Sequence, residues 1–254
     1  MNYRTLTHRF IWTFLAIGLT ACGGNREAEI EYIERPAEEI YNTAFAQVDR
    51  GRFDRAALEF DEVERQHPYS IWARRAMVMA SYSYYMQNRY DETIITAQRF
   101  LALYPGNKQA PYAYYLIAMS QYERISDVKR DQRATELARE ALVELATRFP
   151  DTPYARDALL KIELTNDNLA GKEMDIGRFY LKTGAYAAAA KRFSNVVRHY
   201  STTAQTPEAL HRLVEVYIAL GIIPEAQKAA ATLGYNFPDS AWYARSYRLL
   251  KSAQ

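Results

Sequence analysis

Few side chains of this sequence stand at spacings that could support catalysis or metal binding. Asp127 and Asp131 lie four residues apart, a separation that could bring two carboxylates to one divalent cation. Lysines and arginines surround them, so we interpret this stretch as a solvated loop. The later histidines form no metal-ligand pattern with cysteine or carboxylates; they are His67, His199 and His211. The sequence contains no glycine-rich phosphate loop or nucleophile elbow, and we expect neither an enzyme nor a metal or other cofactor.

The single cysteine has a clearer chemical assignment. A basic N-terminal segment and an apolar run over residues 10–19 precede it, a pattern typical of a signal peptide over residues 1–21. Residues 19–22 read Leu-Thr-Ala-Cys and resemble a bacterial lipobox, which implies that Cys22 becomes the acylated first residue of a lipoprotein. Ordinary secretion with an incidental cysteine is the alternative. Glycine rather than aspartate follows Cys22, which implies sorting to the outer membrane.

A polar tether is predicted over residues 22–36, carrying Glu27, Glu29, Glu31 and Glu34. Several acyl chains on Cys22 would hold the protein at a membrane, because each buried CH₂ contributes about 0.8 kcal/mol. No later stretch of the sequence is long and apolar enough to span a bilayer. We therefore expect a periplasmic protein anchored in the inner leaflet of the outer membrane.

The stretch from Met174 to Val196 determines the fold prediction. Its small and aromatic residues follow the order of a tetratricopeptide repeat, a pair of antiparallel helices; they are Gly177, Tyr180, Gly184, Tyr186, Ala189 and Phe193. Gly177 would let the facing helix approach closely, Gly184 suits a left-handed helix end, and Ala189 leaves room for Phe193 to act as a knob. One such pair cannot bury its apolar faces alone, so further copies must flank it.

Similar units recur along the chain, each ending at a proline or at a residue in the same position. These stops are Pro68, Pro105, Pro150, Ser201 and Pro238. The sequence thus predicts an all-α, right-handed α-solenoid of about five tetratricopeptide repeats, with ten or eleven helices. We place repeats one to three in residues 37–151 and repeats four and five, with a capping helix, in residues 152–254. Whether residues 153–183 form one continuous helix stays open.

Because the sequence favours neither catalysis nor metal binding, we expect the protein to act by recognising other proteins. A curved stack of helix pairs presents a groove lined by first helices. In the first three repeats this lining is rich in tyrosines, and an aromatic groove with hydroxyl groups suits an extended or hairpin peptide with aromatic side chains. The predicted groove residues are Tyr41, Tyr82, Tyr84, Tyr85, Tyr114 and Tyr115. Some of them must instead be buried, since repeat interiors use aromatic residues as knobs.

Charge separates the two halves of the sequence. The whole chain has a formal charge of +2, which gives no support to nucleic-acid binding. Residues 171–254 alone contain eleven basic and six acidic residues, a difference of +5. A basic C-terminal surface could dock an acidic partner, or could only keep the protein soluble.

The lipobox, the glutamate-bearing tether and the five loose repeats together resemble the BamD family of outer-membrane β-barrel assembly lipoproteins. So do the repeat endings Tyr104-Pro105, Phe149-Pro150-Asp151-Thr152 and Phe237-Pro238-Asp239-Ser240. The resemblance covers nearly the whole chain from Cys22.

This resemblance implies a non-catalytic subunit of the BAM complex, which folds and inserts outer-membrane β-barrels. It implies that the C-terminal repeats bind the periplasmic (POTRA) domain of BamA, with Arg192 at the position of the family's contacting arginine. We add the basic residues Lys182 and Arg198 as further candidate contacts with BamA. The resemblance further implies that the N-terminal repeats receive unfolded outer-membrane proteins, and that other BAM lipoproteins are partners. The alternative is another tetratricopeptide lipoprotein, either a pilotin for secretin assembly or an adaptor for cell-wall hydrolases.

Overall fold

The computed structural model describes residues 34–128 and 130–253. These residues contain eleven α-helices and no strand. In chain order the helices are α1 (Ala37–Asp49), α2 (Phe53–Gln66), α3 (Ile71–Met86), α4 (Tyr90–Leu103), α5 (Ala110–Tyr122), α6 (Arg133–Arg148), α7 (Pro153–Lys182), α8 (Tyr186–His199), α9 (Thr206–Ala219), α10 (Ile223–Asn236) and α11 (Ala241–Ser252). Five helix pairs and a final helix confirm the predicted solenoid. The predicted boundary between residues 151 and 152 falls between α6 and α7.

Each helix packs against its neighbour in sequence. Contacts also join α1 to α3, α3 to α5, α5 to α7 and α9 to α11, whereas no comparable contact joins even-numbered helices in the described chain. Apart from α7 and α9, successive odd-numbered helices therefore lie closer together than successive even-numbered helices do. We call the surface formed by the odd-numbered helices the odd-helix side. Between the layers, each of the first four even-numbered helices buries at least one large apolar residue completely, such as Phe60, Phe100, Leu142 and Phe193.

The central hairpin shows why the repeat needs its particular residues. A Cβ atom on Gly177 would lie 2.5 Å from Cε1 of Phe193, so α7 and α8 can approach this closely only with glycine there. At the turn, Gly184 has a φ of +77°, which side chains rarely adopt. Ala189 is fully buried beside Phe193. The predicted roles of Gly177, Gly184 and Phe193 are confirmed.

The long helix α7 joins the third repeat to the fourth and is continuous over 30 residues, which answers the question that the sequence left open. It begins at Thr152, whose side chain accepts a hydrogen bond from the backbone N–H of Ala155. Pro153 is tolerated in the first turn, where no backbone N–H is needed. Because one rigid element spans two repeats, it fixes their relative position.

The last helix covers the end of the stack. Ser240 caps α11 by accepting a hydrogen bond from the N–H of Trp242. Leu249 and Leu250 pack against the core shared by α7 to α10. A Cβ atom on Gly234 would lie 2.5 Å from Tyr243, so α11 is seated closely on α10. We conclude that α11 closes the apolar face that a further repeat would otherwise cover.

The predicted lipidation site Cys22 and the tether to residue 33 lie outside the described residues. Among the helices that the structure describes, none combines the length and the apolar character that a membrane crossing requires.

Candidate functional site

Five tyrosines lie near one another on the odd-helix side: Tyr82 and Tyr85 of α3, Tyr112 and Tyr115 of α5, and Tyr154 of α7. We call them the tyrosine cluster. The ring centroids of Tyr112 and Tyr154 are 5.4 Å apart, and those of Tyr115 and Tyr154 are 5.1 Å apart. All five rings are partly exposed. The cluster is therefore a half-buried aromatic surface spread over three successive repeats.

Acidic residues accept hydrogen bonds from two of these hydroxyls. Tyr115 donates to Oδ2 of Asp157 at 3.0 Å, and Tyr85 donates to Oε1 of Glu123 at 3.4 Å. Burial, followed by the charge of Glu123, raises the pKa of Tyr85 to about 12. Burial and the hydrogen bond to Asp157 likewise raise the pKa of Tyr115. Both hydroxyls thus stay protonated as donors at any physiological pH.

Three of the six predicted groove tyrosines lie elsewhere. Tyr84 points between the even-numbered helices α2 and α4, where its hydroxyl donates to Asp61 at 2.5 Å and Arg89 lies 4.7 Å from its ring centroid. Tyr114 lines a small cleft beside α4 and α6. Tyr41 packs on Phe60, with ring centroids 5.4 Å apart, in the core of the first repeat. The structure brings together only Tyr82, Tyr85 and Tyr115 of the predicted set.

Helical periodicity explains this division. Residues three apart in a helix share a face, whereas residues two apart point about 160° away from each other. Tyr82 and Tyr85 are three apart, while Tyr84 follows Tyr82 by two positions, and Tyr112, Tyr115 and Tyr114 repeat the same relation. Applying the helical period within each helix would have selected Tyr112, which the predicted set omitted. Tyr154 was also omitted, and no local pattern marks it, because it joins the cluster only through packing of α7 on α5.

On the C-terminal side, Arg192 of α8 is partly exposed and already paired. Its Nη1 lies 2.9 Å from Oε1 of Glu173 on α7, and the other carboxylate oxygen of Glu173 accepts a hydrogen bond from Asn195. Lys182 and Arg198 are exposed. Because Lys182 stands beside the α7–α8 turn and Arg198 near the far end of α8, about 18 Å of helix separates them. The structure therefore does not bring these three cations into one site.

Further along, ion pairs connect α7 to α9. Arg178 binds both carboxylate oxygens of Glu208 at 3.0 Å each, and Arg212 lies 3.2 Å from the same carboxylate. Arg212 also lies 2.8 Å from Glu215. Burial alone would raise the pKa of Glu208, but the two arginines outweigh it and hold that pKa below its usual value. This network takes the place of the tyrosines in the second half of the odd-helix side.

A family model described as YfiO, an outer membrane lipoprotein, matches residues 33–233. The chain belongs to this family. Outer membrane protein assembly factor BamD of Caulobacter vibrioides is 51% identical over 93% of this chain and 78% of its own length. BamD of Rickettsia prowazekii is 42% identical over 97% of this chain and 98% of its own length. The predicted membership of the BamD family is thus confirmed, and the match contains the tyrosine cluster and Arg192.

One arrangement within the described part of this BamD-family chain resembles a catalytic triad. Nδ1 of His211 lies 2.8 Å from Oγ of Ser246, and its Nε2 lies 3.4 Å from Oε1 of Glu215. The pair His211 and Glu215, four residues apart on α9, was overlooked in the sequence. Ser246 is completely buried, so no substrate carbonyl can reach its hydroxyl. Among the described residues, no group of three metal-ligating side chains is close enough to hold an ion.

Proposed function

We propose that this protein is the BamD subunit of a BAM complex and assists the folding and insertion of outer-membrane β-barrels without catalysing a reaction. Family membership across almost all of the repeats carries this proposal. The geometry supports it, since the described helices present long stacked surfaces and the triad-like Ser246 is inaccessible. We also propose that it requires no cofactor.

We further propose that the tyrosine cluster receives unfolded outer-membrane proteins. Its rings supply apolar contact area, and its fixed hydroxyls can exchange hydrogen bonds with an extended backbone. A photoreactive residue at position 82 or 115 should crosslink to a peptide that carries a terminal aromatic barrel signal. The same probe at position 84, on the opposite side of α3, is the matched control. Crosslinking at 84 but not at 82 or 115 would contradict this assignment.

For the BamA periplasmic domain we propose Arg192 as a contact, with Lys182 and Arg198 contributing general attraction. The guanidinium can hold a carboxylate with two hydrogen bonds once it is released from Glu173. Arg192→Ala should weaken binding to purified BamA periplasmic domains about tenfold. Glu173→Gln removes the internal competitor and should leave binding unchanged or tighter. Equal weakening by both substitutions would indicate a structural role for the Arg192–Glu173 pair.

We propose that Cys22 carries the lipid that anchors the protein to the periplasmic face of the outer membrane. Two or more acyl chains are needed for stable anchoring. Cys22→Ser should therefore shift the protein from the membrane fraction to the soluble periplasmic fraction. Mass spectrometry of the wild-type N-terminal peptide should show the acyl chains, and an unmodified peptide would exclude this anchor.

Extraction of outer membranes with a mild detergent tests the proposal as a whole. Affinity purification with this protein as the bait should recover a large barrel protein of the BamA type and other BAM lipoproteins. Recovery of a secretin or a cell-wall hydrolase in its place would overturn the proposed function in favour of the pilotin or adaptor alternative.

A further inference from the structure

The cleft between α9 and α11 at the C-terminal end of the stack differs from the surfaces described above. It has a volume of about 440 Å³ and lies beside His211, Arg212 and Glu215 of α9 and Trp242, Arg245 and Arg248 of α11. Helix α11 begins after residue 233, the last residue that the family model matches.

Two cations in this cleft have no acidic partner among the residues that the structure describes. No carboxylate of the described chain lies within ion-pair distance of Arg245 or Arg248, and α11 contains no acidic residue. The only acid in the lining, Glu215, is held by Arg212 at 2.8 Å. The cleft therefore has an excess of positive charge.

Trp242 gives the cleft a fixed shape. Cζ of Arg245 lies 4.7 Å from its ring centroid and Cζ of Arg212 lies 5.5 Å from it, so two guanidinium groups lie against the indole. The ring centroids of His211 and Trp242 are 5.1 Å apart, and His211 is hydrogen-bonded to the fully buried Ser246. Because α9 and α11 are joined in this way, the cations are presented by a rigid surface.

We propose that this cleft binds an acidic segment of a partner protein, with Arg245 and Arg248 holding its carboxylates. Arginine forks match carboxylates in geometry, and buried tryptophan and arginine are the residue types that contribute most to protein interfaces. A membrane surface fits less well, because Tyr247 is the only large hydrophobic residue of α11 that is strongly exposed, at 60%. The site is separate from Arg192 and does not depend on the proposed BamA contact.

Fluorescence anisotropy with the lipidated protein in detergent micelles tests the proposal. The probe is a labelled, end-capped Glu/Ala peptide, and its Gln/Ala counterpart is the uncharged control. The acidic peptide should bind, the Gln/Ala peptide should not, and Arg245→Glu/Arg248→Glu should weaken binding at least tenfold. Arg55→Glu/Arg156→Glu changes the net charge equally at exposed arginines of α2 and α7 and should change binding less than twofold.

Failure of the acidic peptide to bind, or equal weakening by the two double variants, would overturn the proposal. A soluble short-chain phosphatidylglycerol that displaces the peptide at a lower concentration would overturn it in favour of a lipid headgroup. Arg245→Lys/Arg248→Lys keeps the charge but removes the forks, and should weaken binding by less than the reversal does. Circular dichroism of each variant, expected to match the wild type, separates loss of the site from loss of the fold.

Discussion

The two halves of the odd-helix side use the same scaffold for different surface chemistry. On α3, α5 and α7 the side chains that meet across the repeats are tyrosines, whose few acidic neighbours accept their hydrogen bonds. Between α7 and α9 they are arginines and glutamates, joined in a network around Glu208. Aromatic contacts change little with salt, whereas ion pairs weaken as salt screens them. One stack of helices can therefore offer one surface for apolar peptides and a second surface whose interactions depend on charge.

Helix α7 contributes to both surfaces, since it carries Tyr154 in its first turn and Arg178 in its last two turns. Glu163→Pro should therefore have the largest effect, because proline in a helix interior costs about 3 kcal/mol or more. We expect urea unfolding to become less cooperative, with the two halves unfolding separately. Glu163→Ala, at the same exposed position, should change the free energy of unfolding by less than about 0.5 kcal/mol. A single unchanged transition for the proline variant would show that α7 does not couple the halves.

The two glycines of α7, Gly171 and Gly177, differ in the space around them. Gly177→Ala places a Cβ atom 2.5 Å from Phe193 and should lower the free energy of unfolding by about 1–3 kcal/mol. At Gly171 the nearest atom, Cγ1 of Val128, is 3.5 Å from the added Cβ. Gly171→Ala should thus be neutral or stabilising by up to about 1 kcal/mol, since alanine favours helix. Chemical denaturation measures both, and equal losses would mean that the close approach at Phe193 is not limiting.

Tyrosine substitutions test the N-terminal half. Tyr115→Ala should weaken binding of a barrel-signal peptide about tenfold, because it removes an aromatic contact surface and a hydroxyl donor. Tyr84→Phe removes a hydroxyl on the other side of α3 and should leave peptide affinity unchanged. Raising the salt concentration should change the wild-type affinity less than it changes BamA binding. If the two substitutions weakened binding equally, the tyrosine cluster would not be the binding surface.

The smallest expected effect is a pH difference between the halves. The depressed pKa of Glu208 means that its pairing stabilises the fold above the unfolded value of about 4.3 and is lost as pH falls through the folded value. Burial instead raises the pKa of Asp61 and Glu64. Protonation of these carboxyls at low pH therefore removes the desolvation cost of their buried charge. Hydrogen exchange near pH 3.5, corrected for intrinsic rates, should show lower protection in α9 than near pH 6. The change in α2 should be smaller, because the lowered pKa of Glu62 opposes the raised pKa values of Asp61 and Glu64. Greater loss in α2 than in α9 would contradict these directions.

Much of this molecule could be predicted because the repeat is a local pattern. Gly177, Gly184 and Phe193 stand at positions where helix packing and turn geometry accept few other residues, so their order alone identified a helical hairpin. The binding surfaces were harder to predict, since the tyrosine content of a repeat does not tell which tyrosines are buried knobs and which are surface contacts. Arg192 illustrates the limit, because its pairing with Glu173 depends on how α7 and α8 lie against each other.

By itself the sequence determined the repeats, the all-helical fold and the family, because each depends on residue types at fixed spacings along the chain. The tertiary structure was needed to show that α7 is one helix and that Tyr154 joins Tyr112 and Tyr115 while Tyr84 turns away. It also showed that Arg245 of α11 and Arg212 of α9 lie beside Trp242. These features arise from contacts between residues that are far apart in sequence. Such contacts depend on the packing of whole helices, which no local spacing specifies.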